Sequence, residues 1–297
     1  MKPLSIGAVG VSTVVESLRV PMSFAEFLPQ VLEHREVLEA ARSWLEPRFA
    51  RIGADLATAE GFLDFHTYLV RTPQHVILID TCIGDDKERG GHKFFHRLKT
   101  PWLANLRAAG IAPEQVDYVM CTHMHADHVG WNTRLRDGRW VPTFPNAKYV
   151  FARTEFEHRK RNYEGAATAG YGAYADSILP VVETGQAVIV DDGHEVDGHL
   201  RLQPAPGHTP GNVVIELRSR GEQAVFCGDV LHHPIQVAHP EWSAIFCEDR
   251  VQSAATRQRF VASHADTGHI VLPAHFPAPT AGRIRSHGDR WRYDFLD

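Results

Sequence analysis

Between residues 6 and 20, valines alternate with Ser12, Thr13 and Glu16, the period-two pattern of a strand. From 24 to 51 the spacing changes. Phe24, Phe27, Leu28, Val31, Leu32, Val37, Leu38, Ala41, Trp44 and Leu45 recur at mixed helical intervals, interrupted by Pro29. This predicts a helical segment packed on or near a site, as an insertion at about 21–61 rather than a domain of its own. Two strands follow, Phe62–Arg71 and His75–Asp80, joined by a turn at Thr72-Pro73-Gln74. Thr100-Pro101 reads as a helix start, Thr100 as N-cap and Pro101 at the first helical position, with Trp102, Leu103, Leu106 and Ala109 as the apolar face and Gly110 as the end.

Val116–Cys121 is a short apolar run, read as a buried strand leading straight into Thr122-His123. Similar β-rich runs recur at 147–151, 187–190, 199–203, 212–217, 223–228 and 269–273, with helical stretches at 153–165 and 249–265. No repeat, low-complexity tract or linker divides the chain, so residues 1–297 are expected to form one domain. Periodicity by itself places the fold among α/β or α+β classes.

Composition changes this picture little, apart from histidine. A hydrophobic content of 43% and a charged content of 23% are ordinary for a globular protein. The net charge of -5 gives no reason to expect a nucleic-acid partner. Cys82, Cys121, Cys227 and Cys247 form no CxxC pair, so reduced, buried thiols are expected instead of a disulfide framework. The N-terminus lacks a continuous apolar h-region, and no stretch is apolar enough to span a bilayer, so a cytoplasmic location without membrane association is expected. Histidine, at 19 residues, invites a search for clusters of metal ligands.

The decisive segment is Thr122-His123-Met124-His125-Ala126-Asp127-His128, where three imidazoles and a carboxylate follow an apolar strand. In an extended segment His123 and His125 point to the same side, and a turn after them can swing Asp127 and His128 toward a second point. Imidazole and carboxylate suit zinc or a similar divalent ion. A polar, histidine-rich loop with no metal is the plain alternative. Three later segments weigh against it: Pro206-Gly207-His208-Thr209-Pro210-Gly211, Val225-Phe226-Cys227-Gly228-Asp229 and Ile270-Val271-Leu272-Pro273-Ala274-His275. A donor at the end of each of several apolar strands is what a site at one edge of a sheet core requires.

The HxHxDH run, the histidine of PGHTPG, the aspartate of GD and the late histidine together resemble the metallo-β-lactamase superfamily. Leu78-Ile79-Asp80-Thr81 also looks like its LIDTG region, with Cys82 where glycine is usual. The resemblance covers roughly residues 62 to 280 and implies a four-layer αββα sandwich with the site between the sheets at one edge. It further implies that His123, His125 and His208 hold a first metal. Asp127, His128 and His275 hold a second, and Asp229 bridges both. Asp80 would orient a ligand histidine, or simply cap a turn.

The implied cofactors are two divalent ions, zinc first, with iron, manganese or cobalt as alternatives. The expected chemistry is hydrolysis by a metal-bridging hydroxide. Asp127 is a candidate proton acceptor, and His232 a candidate proton donor if it is not merely structural. Within the superfamily, the Val129-Gly130-Trp131-Asn132-Thr133 continuation and the helical N-terminal segment look similar to lactonase-like and methyl parathion hydrolase-like members. His232 stands where signal-lactone hydrolases usually carry tyrosine.

A small-molecule lactone or carboxylic ester is the favoured substrate, and a phosphotriester the alternative. A metal-binding sensor or an iron redox enzyme would be the reading of another class. Trp131, Phe94, Phe95, Phe156, Tyr171 and Tyr174 are candidate pocket residues. Glu155–Ser177 reads as a flap over the metals or a plain surface loop. The N-terminal helical segment is a candidate dimer surface or pocket wall.

Overall fold

In the computed structural model, which describes residues 1–296, the strand Val76–Ile79 shows how the layers arise. Ile77 and Ile79 point into one core, while Val76 and Leu78 pack on the opposite face. A strand buried on both faces has no polar side to display, which is why the central strands appear in the sequence as continuous apolar runs.

The first sheet opens with β1 (Leu4–Ile6), β2 (Val9–Ser23), β3 (Ala50–Arg51), β4 (Glu60–Arg71), β5 (Val76–Ile79) and β6 (Tyr118–Met120). A separate hairpin, β7 (Thr133–Arg136) with β8 (Arg139–Pro142), precedes β9 (Lys148–Ala152) and β10 (Ala187–Val190), which rejoin the sheet. Its spatial order is β1-β2-β4-β5-β6-β9-β10, with β3 on β4. From β5 to β10 the pairing is parallel. The second sheet runs in chain order through β11 (Glu195–Val196), β12 (Leu200–Pro204), β13 (Val213–Ser219), β14 (Glu222–Gly228), β15 (Ile270–Pro273), β16 (Gly282–His287) and β17 (Arg290–Phe295).

Between the sheets lies a core in which Val9, Val70, Ile79 and Val150 face Leu202, Ile215, Phe226 and Leu272. Helices cover the outer faces. α1 (Phe24–Phe27), α2 (Gln30–Glu33) and α3 (Arg35–Leu45) follow β2, and Pro29 stands between the first two. α4 (Trp102–Ala108) packs Trp102 and Leu106 against Leu69, Leu78 and Val119 of the first sheet. α5 (Ala126–Val129), α6 (Arg153–Gly165) and α7 (Leu179–Glu183) follow on that side of the chain. α8 (Ile235–Ala238) and α9 (Arg250–His264) belong to the other, where Phe260 and Val261 meet Val225 and Val271. This is the four-layer sandwich.

The structure also corrects particular expectations. Thr100 does not cap α4. Pro101 is the N-cap, and the Thr100 amide and hydroxyl both donate to Asp85 Oδ1. The hairpins β7–β8 and β16–β17 extend the strand content beyond the runs read from sequence. All four cysteines are buried and unpaired. No helix among the described residues is long and apolar enough to cross a membrane.

Candidate metal centre

The sequence delivers its chemical groups at strand ends. After β6 the chain continues extended through His123 to His125, whose φ and ψ are -71° and 159°. It then turns into α5, where the His128 amide donates to the His125 carbonyl at 3.0 Å. Asp229 follows β14, whose register slips between Phe226 and Gly228. Gly228 sits at φ 48°, and a Cβ there would come within 2.6 Å of Thr122 Oγ1, so only glycine allows the turn. His275 emerges from β15, and His208 from the loop between β12 and β13.

Three imidazole nitrogens converge. His123 Nε2 lies 3.1 Å from His125 Nδ1 and 3.1 Å from His208 Nε2, and the last two are 2.8 Å apart. Four donors held 2.0–2.1 Å from a tetrahedral ion are spaced by roughly 3.3 Å, so the triangle is close to that size. A second group stands beside it. His128 Nε2 and His275 Nε2 are 3.3 Å apart, and Asp127 Oδ2 is 3.7 and 3.6 Å from them.

Asp229 divides its two oxygens between the groups. Oδ1 lies 3.1 Å from His275 Nε2 and 3.3 Å from His128 Nε2, whereas Oδ2 lies 3.2 Å from His208 Nε2 and 3.8 Å from His123 Nε2. Oδ1 is buried without a hydrogen bond. A buried carboxylate oxygen left in that condition, facing converging imidazoles, fits a divalent cation better than it fits a closed polar network.

The far side of four of the five rings is fixed. His128 Nδ1 is 2.9 Å from Asp80 Oδ2, and His275 Nδ1 is 3.0 Å from the Asp64 carbonyl. His123 Nδ1 meets Thr122 Oγ1 at 3.1 Å, and His208 Nδ1 meets Cys247 Sγ at 3.5 Å. Such partners choose the tautomer and aim the opposite nitrogen inward.

Burial pushes His123, His125 and His208 well below the usual histidine range, which leaves their lone pairs free. Burial alone would raise the Asp229 carboxyl, but His128, His275, His232 and His208 hold it well below the usual carboxylate range. His232 is buried, with Nε2 3.2 Å from Asp229 Oδ2. All eight residues proposed from sequence as metal-holding or catalytic are therefore brought together.

The sequence model of the family described as "Metallo-beta-lactamase superfamily" matches residues 64–275. The chain belongs to the metallo-β-lactamase superfamily. It is similar to lactonases of that superfamily. It is 33% identical over 113 residues to the N-acyl homoserine lactonase AttM of Azorhizobium caulinodans, covering 37% of this chain and 39% of that one. The match thus spans well under two thirds of that relative.

Among solved structures it is similar to the "hydrolase AbOPH in beta lactamase superfamily", with a TM-score of 0.78 and 25% identity over 99% of this chain and 97% of that one. The dizinc quorum-quenching lactonase AidC, in complex with a product, shares the fold at a TM-score of 0.76 and 20% identity over 100% of this chain and 97% of that one.

In this superfamily member a cavity of about 240 Å³ opens beside the histidines, lined by Asp127, His232 and Asp229 together with Met22, Leu63 and Phe65. Of the six aromatic residues proposed from sequence, Phe95 and Tyr171 reach it. Trp131 instead stacks on Trp102 at 5.1 Å, and Phe156 and Tyr174 pack in the core beneath α6 and α7.

Sequence reasoning missed Glu155. Its buried carboxylate accepts from the Met124 amide at 2.9 Å, Thr209 Oγ1 at 2.6 Å and Arg159 Nε at 2.9 Å. It therefore ties the HxHxDH segment to the His208 loop. The signal was Glu155 and Arg159 four positions apart on one predicted helix, passed over because the stretch is so polar.

Proposed function

We propose that the chain is a dinuclear metal-dependent hydrolase of lactones or carboxylic esters. His123, His125 and His208 would hold one ion, Asp127, His128 and His275 the other, and Asp229 would bridge them. Zinc is the proposed metal. The observation that carries this reading is the division of the Asp229 oxygens between two separate donor groups. Bound divalent ions supply Lewis acidity and lower the pKa of coordinated water toward neutrality.

The chain's own residues supply the remainder. Met22, Leu63, Phe65 and Phe95 shield the reacting carbonyl from bulk water. His232 Nε2, beside Asp229 Oδ2, would hand a proton to the departing alkoxide, and Asp127 would accept one during attack. We further propose that residues 1–297 form one domain, with the segment at about 21–61 as an insertion whose Met22 serves as pocket wall.

The test is elemental analysis of protein purified without chelator, with turnover measured on lactones, aryl esters and a phosphotriester. About two metal equivalents per chain are expected, and the same lactone or ester turnover should vanish in Asp229→Ala. One equivalent or none, with no turnover after reconstitution, would instead support a sensor.

A further inference from the structure

An aromatic side chain stands at the mouth of the cavity beside the histidines. Of the lining residues, Gly170, Tyr171 and Phe246 are exposed, so the opening lies between them. Tyr171 is 53% exposed although it belongs to the lining. Its ring stands edge-on to that of His92, with centroids 5.7 Å apart, and His92 packs on Phe95 at 4.3 Å. With Tyr171 in this place the cavity measures about 240 Å³. Pockets for drug-sized ligands run from roughly 300 to 1,000 Å³. A bulky substrate therefore meets the tyrosine before it is fully seated.

The backbone here is unusual. Gly170, Tyr171 and Gly172 have φ of 57°, 57° and 74°, successive residues in the left-handed region. Glycine adopts that region freely, whereas a bulky side chain resists it. A tyrosine persists there where its surroundings hold it, and residues held in this way gather at ligand clamps and active sites.

Arg89 does the holding. Its side chain is fully buried, and Nη1 and Nη2 grip the Asp176 carboxylate at 2.5 and 3.0 Å. Nη1 also donates to the Tyr171 carbonyl at 3.0 Å. Asp176 is fixed in turn. Its carbonyl accepts from Lys87 Nζ at 3.1 Å, and Lys87 donates to Thr133 Oγ1 of β7 at 2.6 Å. On the other side of the mouth, the His92 amide donates to the Arg89 carbonyl at 3.0 Å. Both rings at the mouth thus hang on one arginine.

We propose that Tyr171 is a size-selecting residue and that Arg89 is the positioning residue that sets it across the mouth. The proposal rests on the hydrolase reading above and adds to it a limit on the bulk of the group that enters. α6 ends at Gly165 and the helical turn Tyr174–Ile178 lies beyond, so the moving part is the short segment between them.

The experiment compares phenyl acetate with two enlarged esters in the metal-loaded enzyme. Phenyl diphenylacetate carries its bulk on the acyl side, and 4-cumylphenyl acetate on the aryloxy side. The wild type should disfavour at least one of them. Tyr171→Gly keeps the left-handed backbone and removes the ring. It should raise the kcat/KM ratio of that ester to phenyl acetate by about tenfold or more, chiefly through KM. Tyr171→Phe keeps the ring and should keep the wild-type ratio. Arg89→Lys leaves a cation beside Asp176 but cannot span both that carboxylate and the Tyr171 carbonyl. It should raise the ratio in the same direction and speed amide exchange across 168–172. In the Tyr171→Gly background it should add nothing to the ratio.

No discrimination by the wild type, or an unchanged ratio in Tyr171→Gly, would overturn size selection. An unchanged ratio and unchanged exchange in Arg89→Lys, or a full further effect in the Tyr171→Gly background, would overturn the role of Arg89. If no ester is turned over, the hydrolase reading fails, and size selection is then read from calorimetry with acetohydroxamate and diphenylacetohydroxamate, which bind divalent ions. Tyr171→Gly should favour the larger hydroxamate by a similar factor. Equal discrimination in wild type and variant, or no binding to either, would overturn size selection by that route.

Discussion

Asp80 shows how much one side chain can carry. It sits just beyond β5 at φ 53°, a backbone conformation that Asp and Asn tolerate better than most residues. Its carboxylate accepts from the Thr122 amide and hydroxyl, both at 2.8 Å, and from His128 Nδ1 at 2.9 Å. Asp80→Asn keeps the shape and backbone preference but replaces one acceptor oxygen with an N–H₂ donor that confronts other donors. We expect a 10–100-fold loss of metal retention or kcat, on the order typical for groups that orient a metal-bound histidine. Metal content after dialysis, measured beside kcat, checks this, and unchanged values of both would remove Asp80 from the site. The donors themselves were legible because each follows an apolar strand. Glu155 and Arg159 were not, because α6 is polar on nearly every face and its inward residues carry the same charges as its outward ones.

Elements place these residues through close backbone approach. In the His208 loop, Gly207 has φ 130°, and a Cβ there would stand 2.3 Å from the Ser253 amide nitrogen in the first turn of α9. Neither the backbone nor the helix can yield cheaply. Gly207→Ala should therefore cost about 3 kcal/mol or more and displace His208. Thermal melts with metal titration would show it, and a wild-type melting temperature with full metal occupancy would contradict it.

The same scale explains which elements could be read in advance. β5, β13 and β14 are buried on both faces and stand out as apolar runs. β16 and β17 alternate Arg283, Arg285, Arg290 and Arg292 with their inward residues, so their average polarity resembles a loop. The β7–β8 turn at Asp137-Gly138, with φ of 50° and 76°, carried the usual hairpin signature in the sequence, but its flanking arginines masked the strands.

Across the whole molecule, buried titratable groups oppose one another. Burial lowers His66 to about 3 and His233 to about 4. Unfolded chains therefore take up these protons as pH falls below 6.5 while the fold does not, and stability is lost down to the folded values. Burial raises Glu16 to about 7 and Asp64 to about 6, so these two bind protons first in the fold and favour it over much the same window.

Replacing one histidine should expose the imbalance. His233 donates from Nε2 to the Phe49 carbonyl, a bond that His233→Gln can keep. The stability difference between wild type and this variant should shift by about 2 kcal/mol toward the variant between pH 6.5 and 5. Melts at the two pH values measure it, and a constant difference would refute it. Chelation belongs to this scale as well. Donors come from both sheets, so metal removal should lower the melting temperature by roughly 5 °C or more, and restoring metal should reverse the change.

The order of those donors along the chain has a consequence for biosynthesis. His123, His125, Asp127 and His128 leave the ribosome together, but the first group also needs His208, and both groups need Asp229. The second closes only with His275, at the end of β15. If the proposed ligand set is right, a partly made chain would hold metal only in half-built sites, and catalysis would begin only when the last sheet locks into place. Activity in a truncation series thus reports the completion of folding as much as the presence of the active residues.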